Sequence, residues 1–94
     1  MELSDDARVK PVAGVSVRPL DERAVLVNLT TGRCFELNRI GAEIWELLAG
    51  GRSVGGVCDE LAERYPAARA ILRDDVLGLI RSLVREGLAE VSAP

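Results

Sequence analysis

The spacing of apolar residues changes partway along this chain. Over residues 12–20 it is two: Val15 and Val17 alternate with Ser16 and Arg18, which predicts a strand. Pro19 lacks a backbone N–H, so it belongs at a strand end or on an edge. A polar turn at Asp21, Glu22 and Arg23 leads to a second, β-branched strand over 24–29. Thr30, Thr31 and Gly32 make a hairpin connection, with Gly32 suited to a positive φ. Residues 33–37 return as a third strand, with Phe35 and Leu37 on one face and Cys34 and Glu36 on the other.

From Asn38 onward the spacing becomes helical. Asn38 is an N-cap residue, and Ile40, Ile44, Leu47 and Leu48 mark the buried face of a first helix, with Trp45 beside it. Gly50 and Gly51 end it with a left-handed cap. Ser53 caps a second helix whose face is Val54, Val57, Cys58, Leu61, Ala62 and Tyr65; Gly55 and Gly56 weaken its first turn, and Pro66 stops it. A third helix begins near Ala67 or Ala70 and ends near Glu86. Its main stripe is Leu72, Val76, Leu79, Ile80 and Leu83, widened sideways by Leu77 and Val84 and bordered by Arg73, Asp74 and Arg81. Gly87 caps it, and residues 88–91 alternate as a short last strand. The expectation is an α+β, winged helix-turn-helix-like fold: a three-stranded antiparallel sheet followed by a three-helix bundle. Residues 1–11 read as a flexible polar segment, 12–91 as the folded domain and 92–94 as a tail.

Composition narrows the chemistry. The 94 residues include a single Phe, Trp and Tyr, so the core must be aliphatic. There is no histidine, and Cys34 and Cys58 are far apart, so no metal site is expected. Without a histidine base, a nucleophile elbow or a phosphate-binding Gly-Lys-Ser/Thr, neither catalytic residues nor a cofactor is expected. The neighbouring carboxylates Asp74 and Asp75 diverge by about 100° on a helix and cannot face one site. No signal peptide and no apolar run long enough for a bilayer is present, which gives the expectation of a soluble, cytoplasmic protein without membrane contact. The net charge of −3 argues against a nucleic-acid partner. A winged-helix DNA-binding regulator stays as the alternative, since Arg69, Arg73, Arg81 and Arg85 lie on the third helix, although Asp74, Asp75 and Glu86 lie there too.

As the last strand of a small sheet, residues 33–37 would leave one edge unpaired. That edge could take another extended chain, including a second copy of the protein as a homodimer. Beside it, the flank Leu77, Ile80 and Val84 either completes a peptide groove or packs on the second helix or a partner subunit. Spacing alone leaves both open.

One ordered set of residues resembles a known family: Thr31-Gly32, Phe35, Leu37-Asn38, Gly41-Ala42, Ile44-Trp45, Leu47-Leu48, Gly51, Ser53-Val54, then Asp75-Val76, Leu83 and Gly87-Leu88. These resemble the PqqD-like proteins, the recognition elements for precursors of ribosomally made, modified peptides, and most of all the lasso-peptide type. The resemblance implies a non-catalytic protein that binds a precursor's leader peptide and presents it to a leader peptidase or another modifying enzyme. The leader would add as a strand beside the third strand, against the third helix. Carried onto this chain, the implied contacts are Arg33, Cys34, Phe35 and Glu36 on the strand and Asp74, Leu77, Ile80, Arg81 and Val84 on the helix. Phe35 stays divided between contact and core. On this placement Arg81→Glu or Val84→Asp weakens leader binding, whereas Leu83→Asp unfolds the protein.

Overall fold

In the computed structural model, which describes residues 3–92, the chain runs β1 (Arg8–Pro11), β2 (Val15–Leu20), β3 (Arg23–Asn28), β4 (Cys34–Leu37), α1 (Arg39–Ala49), α2 (Val54–Arg64), α3 (Arg69–Arg85) and β5 (Ala89–Ser92). Strands β2, β3 and β4 form an antiparallel sheet in that order. The α+β class, the three-stranded sheet and the three helices expected from periodicity are all present. A 3₁₀ turn, Pro66–Ala68, fills the step between α2 and α3, so α3 starts between the two positions expected.

The amino-terminal segment corrects the sequence reading. Residues 8–11 of the expected flexible stretch form β1, paired antiparallel with β5 from Arg8↔Ser92 to Pro11↔Ala89. Ser92, expected in the tail, is the last residue of that pair; Met1, Glu2, Ala93 and Pro94 lie outside the described residues. Leu3, Ala7 and Val9 are buried in the core. Three scattered apolar residues in a polar run show no period, and the partner strand is about 80 residues away, beyond any local pattern.

The same segment caps α2. Val54 N–H donates to the Ala7 carbonyl and Gly55 N–H to that of Asp5, both at 2.9 Å, satisfying two donors that a helix start leaves open. Gly55 makes this approach possible. A Cβ there would sit 3.0 Å from Asp5 Cβ and 3.2 Å from its carbonyl oxygen. Gly55→Ala is therefore expected to destabilise the fold by about 1 kcal/mol or more, against the preference of helices for alanine, and a thermal melt checks the sign.

The caps follow the expected chemistry. Asn38 accepts from Gly41 N–H at 2.8 Å and Ser53 from Gly56 N–H at 3.1 Å. Gly51 and Gly87, at φ 95° and 74°, end α1 and α3, and Gly32, at φ 77°, completes the β3–β4 hairpin. The core lies between the inner face of the sheet (Ala24, Leu26, Leu37) and one face of each helix: Ile44, Trp45 and Leu48 of α1, Val57 and Leu61 of α2, Leu72, Val76, Ile80 and Leu83 of α3.

One polar residue is buried among them. Asn28 is 4% exposed. Its Oδ1 accepts from Thr30 and Thr31 N–H at 2.9 and 3.1 Å, and its Nδ2 donates to the Gly87 carbonyl at 3.0 Å. It thus shapes the β3–β4 turn and ties that turn to the end of α3. Asn28→Ala strands three partners and is expected to cost about 2 kcal/mol, seen as a melting temperature lower by about 10 °C.

Candidate functional site

β4 is an edge strand, paired with β3 alone. Its outward groups can be assigned from the ladder. Asn28 N–H donates to the Arg33 carbonyl at 2.8 Å, which makes 28↔33 a hydrogen-bonded pair. Such pairs alternate in an antiparallel ladder, so 26↔35 and 24↔37 are hydrogen-bonded too. Phe35 and Leu37 therefore turn their backbone groups toward β3. Cys34 and Glu36 turn theirs outward, and four main-chain groups, two donors and two acceptors, stand along the edge.

The sheet's other edge is blunted. On β2 the hydrogen-bonded partners of β3 are Ser16, Arg18 and Leu20, so Val15, Val17 and Pro19 face outward. Pro19 has no N–H to offer there. Of the two edges, β4 is the one fit to receive another strand.

A cleft of about 400 Å³ opens between the end of β4, the start of α1 and the middle of α3. Leu37, Ile40, Ile44 and Leu79 give it an apolar floor, while Glu36, Asn38 and Asp75 stand at its polar rim. At the opposite end of β4, Arg33 is ion-paired with Glu86 at 2.7 Å, just past the last turn of α3. Together with the Asn28–Gly87 bond, this pins the hairpin to the carboxyl end of α3. β4 and α3 thus run antiparallel, pinned at the Arg33 end and open at the Asn38 end. Five extended residues span about 13 Å, comparable to the roughly 16 Å rise along α3 from Asp75 to Glu86.

Asp75 and Leu79 of α3 and its cap residue Glu86 face this gap, and Ser82 lies on the same stripe, at intervals of four, three and four. Here the structure departs from the contact set implied by resemblance. Leu77 and Val84 lie roughly half a turn around the helix, on the flank where Arg73 pairs with Asp5 at 2.5 Å. Both are half-buried against the core. Asp74 and Arg81 point to solvent between the two flanks. Ile80 is fully buried, at 0% exposure, and belongs to the core. On the strand side the expected residues do come together: Arg33, Cys34 and Glu36 are exposed along the edge, and Phe35 is half-buried, packed on the core. Asn28, Asn38, Ile40, Asp75, Leu79 and Glu86 were not singled out from sequence as site residues. For Asp75, Leu79 and Glu86 the signal is their recurrence, with Ser82, on one stripe, once it is known which flank of α3 meets the strand.

Away from the cleft, one carboxylate ties two helices together. Glu43 accepts from Tyr65 Oη at 2.5 Å and Arg64 at 2.9 Å, linking α1 to α2, and its hydrogen bond holds the Tyr65 phenol above its usual pKa. Burial raises the Cys58 thiol as well, although Arg73 opposes this. Among the described residues no cluster of His, Cys, Asp or Glu could hold a metal ion, and no helix is long and apolar enough to cross a membrane.

Comparison with known proteins adds a family to this geometry. Residues 23–89, from the start of β3 to the start of β5, match the family described as Coenzyme PQQ synthesis protein D (PqqD). The chain belongs to the PqqD family. Two relatives called PqqA binding protein are similar to it. The one from Bradyrhizobium diazoefficiens is 36% identical over 67 residues, covering 71% of this chain and 65% of that protein. The one from Rhodopseudomonas palustris is 37% identical over 71 residues, covering 72% and 70%. Two solved structures are similar across almost the whole fold. One, described as TbiB1 in complex with the TbiA(beta) leader peptide, has a TM-score of 0.80 at 29% identity, covering 90% of this chain and 99% of that one. The other, a lasso peptide synthetase B1 complexed with the leader peptide, has a TM-score of 0.79 at 28% identity, covering 88% and 98%.

Proposed function

We propose that this protein binds the leader region of a ribosomally made precursor peptide, as a recognition element of lasso-peptide or related biosynthesis. The leader adds as a fourth strand beside β4, and its apolar side chains enter the cleft between β4 and α3. The observation that carries this reading is the outward pair Cys34 and Glu36 on an unpaired edge, facing an apolar-floored cleft. Support comes from the family and from the likeness to two proteins solved with leader peptides. Arg33, Cys34 and Glu36 are the proposed strand contacts and Asp75 and Leu79 the proposed helix contacts. Phe35 supports the strand from beneath.

The leader so held is presented to a leader peptidase or another modifying enzyme, and the protein itself supplies binding rather than catalysis. A winged helix-turn-helix-like arrangement is part of the same proposal, with the third helix set beside a strand edge for a peptide rather than against DNA. A second copy of the protein could use the same edge, in which case leader and copy compete for it.

The test is fluorescence polarisation with a labelled peptide spanning the leader of the precursor encoded beside this gene. Saturable binding at micromolar concentration or tighter, competed by unlabelled leader, is the expected result. A flat titration at high protein concentration would remove the proposal.

A further inference from the structure

The charges around the cleft do not cancel, and the imbalance bears on what the leader must carry. At the pinned end Arg33 and Glu86 neutralise each other, and along the strand Glu36 meets Arg23 at 3.0 Å. Asp75 sits at the rim of the apolar floor and has no cation within ion-pair distance among the described residues. The arginines on nearby elements are turned elsewhere: Arg39 to Glu22 at 3.8 Å, Arg73 to Asp5 at 2.5 Å. Arg69, Arg81 and Arg85 lie off the stripe that faces the cleft.

We infer that the leader segment received by this cleft carries a lysine or arginine two residues from its apolar anchor, and that Asp75 reads it. This rests on the proposed leader binding and adds a chemical requirement to it. Side chains two apart on an extended segment share a face and stand about 7 Å from one another. With the anchor on the Leu37–Leu79 floor, its neighbour on the same face reaches the rim. A lysine or arginine can lay its stem along Ile40 or Leu79 and bring its head to the carboxylate. A glutamate at that position would meet Asp75 and Glu36 together. Such a contact favours one partner over another more than it adds raw affinity.

The experiment compares three labelled peptides: the native leader, a version with every lysine and arginine replaced by glutamine, and one with them replaced by glutamate. Each is titrated against the wild-type protein and Asp75→Asn. Asp75 is exposed, so the variant should melt like the wild type. With the wild type, the glutamine peptide is expected to bind roughly two- to fivefold more weakly than the native leader, with the gap closing as salt rises. With Asp75→Asn the native and glutamine peptides should bind alike, at the wild type's affinity for the glutamine peptide. A gap that persists undiminished in Asp75→Asn, or no gap in the wild type, overturns the role of Asp75 while leaving leader binding in place. Failure of every peptide to bind removes the leader proposal and this inference with it.

Discussion

Glu36→Pro is expected to lower affinity for the leader about tenfold or more while moving the melting temperature little. The Glu36 N–H points away from β3, so proline there breaks no bond of the sheet. It removes one of the two donors on the receiving edge and puts ring carbons where an added strand's carbonyl would approach. The exposed ion pair to Arg23 is lost as well, a small term at such a surface. Phe35→Pro is the control. The Phe35 N–H lies within the ladder to β3, and its loss should destabilise the hairpin by about 2 kcal/mol or more. Melts and polarisation titrations of both variants test the parity of the strand: neighbouring prolines, one sparing the fold and the other not. Undiminished binding by Glu36→Pro would mean that the leader does not add to this edge.

The second large effect separates two leucines of α3. Leu83 is fully buried, at 0% exposure, and aspartate there would be an unpaired charge inside the core. The cost of more than about 4 kcal/mol is most of what a domain of this size has, so Leu83→Asp is expected to be unfolded at room temperature by circular dichroism. Leu79 is half-buried at the cleft, where an aspartate can reach water. Leu79→Asp should keep its helical spectrum and lose leader affinity about tenfold or more, because it puts a carboxylate on the apolar floor, next to Asp75 at the rim. Val84→Asp is now expected to leave affinity nearly unchanged, the reverse of what the sequence alone suggests. If Val84→Asp abolishes binding and Leu79→Asp spares it, the leader lies on the other flank of α3.

Much of the fold can be read locally. Asn38, Ser53, Gly51 and Gly87 mark helix ends because capping chemistry is carried by the residue itself. The β2–β4 strands show in their alternation and their turns. β1 does not, because it is held by a strand at the far end of the chain and by backbone bonds to α2. The site divides in the same way. The edge character of 33–37 follows from strand order, and the outward register of Cys34 and Glu36 follows once a single ladder bond is known. The flank of α3 that meets the strand cannot be read from spacing: Leu77 and Val84 widen the apolar arc on one side and Leu79 on the other. Which side faces β4 is set by how α1 and α2 carry the chain around, a property of the whole path. Asn28 is hidden for a related reason, since an asparagine near a turn reads as a turn residue and its bond to Gly87 spans most of the chain.

The pairing of β1 with β5 also has an architectural consequence. Arg8 and Ser92 are opposite one another, so positions 84 residues apart in sequence stand about 5 Å apart. One ladder thus clasps the start and the finish of the fold, so trimming either strand strips the other of its partner.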